Sequence, residues 1–153
     1  MKRIEVKLSL PVVAPLLDVV KAAADTLASE MASSLPLTDI DPDVRDAWKS
    51  ELVEGQNEEI RILLALFDGE FFSSGVIGID EENADSLVRA CSAVRLRLRE
   101  RFMTDIPDEL LESGDIEMEV LEEPVRKAFM CYLFLATVQE LIIQHLDSSI
   151  LDS

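Results

Sequence analysis

The sequence has little of what enzymes use for chemistry. It holds one histidine, His145, and two cysteines, Cys91 and Cys131, in 153 residues. No CxxC pair is present, so a thiolate zinc site is not expected. A ferritin-like di-iron site needs Glu-x-x-His motifs on helices. Here Glu140 and His145 have the wrong spacing, and no second histidine exists. Neither GxxxxGK[ST] nor GxGxxG occurs, which removes the common phosphate cradles. Asp39, Asp41 and Asp43 open like a calcium loop, but Val44 stands where its glycine belongs and Ser50 where its closing glutamate belongs. A nucleophilic Cys–His pair would have to join Cys91 or Cys131 to His145. Cys131 lies in the most apolar stretch of the chain, where a thiolate is disfavoured. No catalytic residue, metal site or cofactor is therefore expected. The cysteines read as free, buried thiols, which fits a reducing compartment and a cytoplasmic location.

Positive charge is scarce as well. Fourteen Lys and Arg face 31 Asp and Glu, for a net charge of −17. Such a field repels nucleic-acid backbones and anionic membranes and favours basic partners. Its other reading is solubility alone. Long apolar runs are also missing. Met1-Lys2-Arg3 precedes an apolar stretch, but Glu5 and Lys7 interrupt it and Asp18 and Lys21 close it, so no export signal is expected. No run approaches ~20 apolar residues, so no membrane span is expected. Yet hydrophobic residues make up 48% of the chain and its mean hydropathy is +0.17, too apolar for a disordered protein. The surplus implies either a fully buried helix or a self-association surface, hence a homodimer. The length suits one core and a single domain over residues 1–153.

What is present is helical punctuation. Residues 3–10 alternate apolar and polar, which predicts a half-buried strand. Pro15 suits the first turn of a helix over roughly 13–33, with Val20, Ala24, Leu27 and Met31 on one face. Asp41-Pro42 reads as an N-cap and first helical residue. The helix after it carries an apolar stripe of Val44, Trp48 and Leu52, with Gly55 as a break or bend and Gly69 as a stop. Residues 70–79 fit either a small hairpin or one strand beside residues 3–10. Asp80 caps a helix over about 81–103 that buries Leu87, Cys91, Val94, Leu98 and Phe102. Pro107 opens a short turn to Glu112, ended by Ser113-Gly114. The last helix runs from about Pro124 to Asp147 and is apolar nearly all round between 128 and 138, which predicts a central strut. The fold class is mainly α: a bundle of about five helices with a minor β-strand or hairpin element.

One cluster interrupts the acidic background. Arg95, Arg97, Arg99 and Arg101 fall within seven positions. On a helix, Arg95 and Arg99 share one face and Arg97 and Arg101 another. They fit internal salt bridges that hold helices in register, answered by Glu100, by Glu58 and Glu59, or by the segment after Thr104. They also fit a patch for a phosphate or a partner's carboxylates, since the guanidinium fork binds both bidentately. Residues 105–123 hold nine acids and no Lys or Arg, which is either a solvated loop or a docking surface for a basic partner.

Three segments resemble the bacterial family of unknown function called DUF2017. Arg95-Leu96-Arg97-Leu98-Arg99-Glu100-Arg101-Phe102 is similar to its RLxLxxRL stretch, with Arg95 and Arg101 on its two arginines. Tyr132-Leu133-Phe134-Leu135-Ala136-Thr137-Val138-Gln139-Glu140 is similar to a Tyr-led segment ending in Gln-Glu. Glu59-Ile60-Arg61 is similar to an acid-x-Arg element. Arg99 stands where the family has a glycine. The resemblance implies no specific activity. Members are often encoded near a protease adaptor, which implies a regulatory or adaptor role. The expectation is a non-enzymatic, acidic interaction or regulatory protein with a protein partner. The alternative is a binder of, or enzyme acting on, a small anionic metabolite held by the arginines at 95–101, with Glu59 and Arg61 as further candidate partner- or anion-binding residues.

Overall fold

A computed structural model describes residues 2–32, 41–113 and 115–146. The alternating segment forms strand β1, Arg3–Lys7, which is shorter than the alternation implies. Ser9-Leu10-Pro11 turns the chain into a one-turn helix, α1, Leu10–Val13, because Pro11 suits a first helical turn. Helix α2 follows at Leu16–Leu27. It stops short of the expected end at 33 because its last carbonyls are taken by another helix. Gln56 Nε2 donates to the carbonyls of Leu27 (3.1 Å) and Glu30 (3.0 Å), and Gln56 Oε1 accepts from the Ala32 amide (3.0 Å). Helix ends leave such carbonyls without partners, and here a buried glutamine replaces the usual glycine cap.

Helix α3, Pro42–Ala65, starts as predicted: the Asp41 carboxylate accepts from the Asp43 amide at 3.0 Å. It passes through Gly55 without interruption. Gly69 does not end it but opens a second short helix, α4, Gly69–Ser74, capped by Asp68. Residues 70–79 are therefore not a hairpin. Gly75 closes α4 at φ 78°, and strand β2, Val76–Asp80, pairs antiparallel with β1. The register opposes Ile4 to Ile79 and Val6 to Ile77, so the apolar residues of both strands share the inner face.

Asp80 accepts from the Asn83 amide and starts α5, Glu81–Phe102. Glu81 and Glu82 lie in its first turn and Arg99 and Arg101 in its last, matching the helix dipole at both ends. A short helix α6, Asp108–Ser113, and a single 3-10 turn, Met118–Val120, carry the acidic stretch to α7, Glu123–His145. The Arg126 guanidinium donates to the carbonyls of Met118 and Leu121, both at 2.9 Å, and ties that stretch to α7.

The fold is mainly α-helical with a minor two-stranded sheet. Its central strut is α5, not α7. Helix α5 packs on α7, α3, α2 and β2, whereas α7 packs on α5 and α2. Helix α7 is long and apolar enough, by length and composition, to cross a membrane. In the fold it buries Phe129, Leu135, Val138 and Ile142 in the core and leaves Met130, Thr137 and Ile143 exposed. Phe102, expected inside, is 38% exposed at the end of α5.

Candidate functional site

The arginine series lies on α5 and fans out around it. Arg95 turns toward α7. Its Nη1 donates to Gln139 Oε1 at 2.7 Å, and its guanidinium carbon sits 4.3 Å from the centre of the Tyr132 ring. Gln139, itself buried, donates back to the Val88 carbonyl (2.8 Å) and the Ser92 hydroxyl (2.7 Å). One glutamine thus joins two turns of α5 to the middle of α7. Arg97 is buried on the opposite side. It pairs with Glu30, beyond the end of α2, and lies 3.9 Å from Glu100. Arg99 pairs with Asp108 at the start of α6. Arg101 is exposed and, among the described residues, has no carboxylate within 4.0 Å. Glu59 and Arg61 do not join this series: Glu59 pairs with Arg89, linking α3 to α5, and Arg61 pairs with Glu58 on its own helix.

Arg97 and Arg101 border a cleft of about 270 Å³ between α2, α5 and the start of α7. Its walls are mostly apolar, with Ala22, Ala23, Leu98 and Phe102 among them, and Lys127 stands at the same opening. Small side chains on α2 make this space: a leucine at either alanine would fill much of it.

A second surface lies on α3. Val44, Trp48 and Leu52 share one face of α3, as their spacing implies, but that face looks outward. They are 48%, 49% and 42% exposed. The buried residues of α3 are Val53, Gln56, Ile60 and Leu63, none of them before its middle. Of the stripe, Leu52 borders a cleft shared with Leu96 of α5, while Val44 and Trp48 stay about half exposed. Trp48 is therefore not a core residue.

Nucleophilic chemistry finds no support in the geometry. Cys91 and Cys131 are both free and buried. Burial pushes each thiol up from 9.0 to about 12; for Cys91, the neighbouring Arg95 guanidinium pulls the other way and Cys131 adds to the rise. Both stay protonated at ordinary pH, which removes the reactive thiolate. His145 is exposed at the last turn of α7. Among the described residues, no three His, Cys, Asp or Glu side chains come together as metal ligands. Asp39 of the calcium-like spacing and Gly114 of the expected stop lie outside the described residues.

A family model described as a domain of unknown function, DUF2017, matches residues 9–146. The chain belongs to this family. The match takes in every helix from α1 to α7 but not β1. No curated protein and no solved structure matches the chain. Of the DUF2017-like segments, the arginine stretch and the Tyr-led stretch meet in space, through Arg95, Tyr132 and Gln139. The Glu59-Ile60-Arg61 element stands apart, with only Ile60 in the core. The spacing groups Gln139 with Glu140 and Gln144 as able to face water, which its burial corrects, and it does not mark Gln56. Both are polar residues inside apolar helix faces, and that is the signal that marks them.

Proposed function

We propose that this DUF2017 protein is a non-catalytic interaction protein that works as a homodimer. The observation that carries this reading is the outward-facing stripe Val44–Trp48–Leu52. Three large apolar side chains in line on one helix, a tryptophan at the middle, make an unusual monomer surface and a usual interface centre. Burying each is worth roughly 1.5–3 kcal/mol when complete.

A second copy fits this face by charge. At about 100° per residue, Arg45 and Lys49 flank the stripe on one side and Glu51 and Glu54 on the other. Two copies of α3 related by a two-fold axis along the helices bring each basic flank against the partner's acidic flank. Antiparallel pairing would instead oppose like charges. The buried, protonated cysteines suit a reducing compartment, so we place the protein in the cytoplasm. The net charge of −17 argues against direct binding to nucleic acid or an anionic membrane.

Sedimentation equilibrium tests this. Wild type is expected to be dimeric at micromolar concentration, and Trp48→Glu monomeric with unchanged helicity. The pair Glu51→Lys/Glu54→Lys is expected to weaken the dimer, and adding Arg45→Glu/Lys49→Glu in the same chain to restore it. A wild type that stays monomeric at 100 times that concentration, or a dimer indifferent to Trp48→Glu, overturns the reading.

A further inference from the structure

We infer that the cleft between α2, α5 and α7 binds a small apolar carboxylate: an anionic head on a short hydrocarbon tail. Two independent observations converge there, and a third lies at its edge. The first is the shape. The cleft holds about 270 Å³, at the small end for ligand sites, and its walls are almost entirely apolar. It exists because α2 presents Ala22 and Ala23 where its other turns present larger residues. The second is charge. The chain has 14 basic residues against 31 acids, yet Arg97, Arg101 and Lys127 all border this one opening. Among the described residues, neither Arg101 nor Lys127 has a carboxylate within 4.0 Å, in a protein where acids are abundant. Asp18 is the acid that lines the cleft beside them. The third is an unmet donor. The Arg97 side chain is 6% exposed and its Nε–H has no acceptor, although its outer nitrogens face Glu30 and Glu100. Buried donors without partners are rare and costly, commonly about 1–3 kcal/mol.

An apolar anion answers the first two. Its tail lies on Leu98 and the α2 alanines and takes the exposed edge of Phe102 out of water. Its carboxylate meets Arg101 and Lys127 at the mouth. A cation meets repulsion at that mouth, and a bare anion such as acetate leaves the apolar walls wet. A phosphate ester with a polar body fits the mouth but not the walls. The same head and tail occur in a free medium-chain acid and in the last residue of a peptide ending in leucine. The cleft itself sets only the chemistry they share.

The test is independent of dimerisation and uses the full chain. Octanoate, octanol, octylamine, acetate and an acetylated tetrapeptide ending in leucine are titrated in turn and followed by thermal shift and by amide chemical shifts. Octanoate, the peptide, or both are expected to raise Tm and to move the amides of Ala22, Ala23 and Ala128. Acetate and octylamine are expected to do neither. Octanoate alone assigns a free acid, and the peptide alone assigns a chain end. Arg101→Glu/Lys127→Glu is expected to weaken binding at least tenfold without changing the ligand-free Tm, since both side chains reach water. Ala22→Leu fills the cleft from an exposed position and should abolish binding in a folded protein. Equal binding of octanol and octanoate, no response to either acid, or full binding by the Ala22→Leu protein overturns the proposal.

Discussion

Gln139 is one of the few polar side chains in the core, and three of its neighbours depend on it. It accepts from Arg95 and donates to Val88 and Ser92. Replacing it with alanine strands the Arg95 fork, whose Nε is already without a partner, and leaves the Val88 carbonyl with one acceptor site less used. A buried polar group left alone costs about 1–3 kcal/mol, so Gln139→Ala is expected to lower unfolding free energy by about 2 kcal/mol in a urea melt. Arg101→Ala, on the same helix as Arg95 but exposed, is expected to stay within about 0.5 kcal/mol. Equal losses for the two would mean that the glutamine network holds nothing. The residue scale is also where sequence reading stops earliest. That Arg95 and Arg99 share one face of a helix, and Arg97 and Arg101 another, follows from periodicity alone. That Arg95 meets Gln139 and Arg97 meets Glu30 does not, because one partner lies on α7 and the other just past α2, and their approach depends on how the helices cross. The acid that answers Arg99 did come from the segment after Thr104, since Asp108 follows the end of α5 closely enough to fold back on it.

At the scale of elements, starts were easier to read than faces. Asp41-Pro42 and Asp80 announce α3 and α5 because a carboxylate at the N-cap satisfies free amides locally, with no help from the rest of the fold. The stripe on α3 shows the limit. Spacing establishes that Val44, Trp48 and Leu52 lie together, but not which side of the helix the core covers. Gly69 was misplaced for a related reason: a glycine is tolerated at either end of a helix, and Asp68 ahead of it decides for a start. Gly75 is the glycine that the fold requires. It sits at φ 78°, and a Cβ there would stand 2.7 Å from the Leu8 carbonyl oxygen, which is backbone. The same two residues are already joined by a hydrogen bond from the Leu8 amide to the Gly75 carbonyl at 2.7 Å. Left-handed backbone costs an alanine roughly 1–2 kcal/mol, and the collision adds to it. Gly75→Ala should therefore destabilise the protein by about 2 kcal/mol or more, with amide exchange accelerating first in β1 and β2. Gly55, with open space around its position, is expected to accept alanine with a gain instead.

For the whole molecule, charge opposes the association proposed through α3. Two chains of −17 repel at long range, while the stripe and its flanks attract only on contact. Screening separates the two. The Debye length falls from about 30 Å at 0.01 M salt to about 8 Å at 0.15 M, so the repulsion between whole chains fades before the contact pairs do. The dimer is expected to tighten at least tenfold over that range, and sedimentation at both salt concentrations measures it. A dimer that loosens instead would mean that the flanking ion pairs, not the apolar stripe, hold it together. The acidic stretch after α5 is part of that overall field. Arg126 anchors its backbone through two carbonyls and leaves most of its carboxylates turned to solvent.

The sheet has a further consequence, for the order in which the protein is made. Strand β1 leaves the ribosome well before β2, the strand it pairs with among the described residues, which comes roughly seventy residues later, a delay of several seconds at ordinary translation rates. Through that interval the segment waits with its backbone unpaired and Ile4 and Val6 in water. Arg3, Glu5 and Lys7, alternating in sign along its other face, make it a poor template for a neighbouring nascent chain. A strand made early in the fold is thus fixed late, and it waits safely because every second residue is charged.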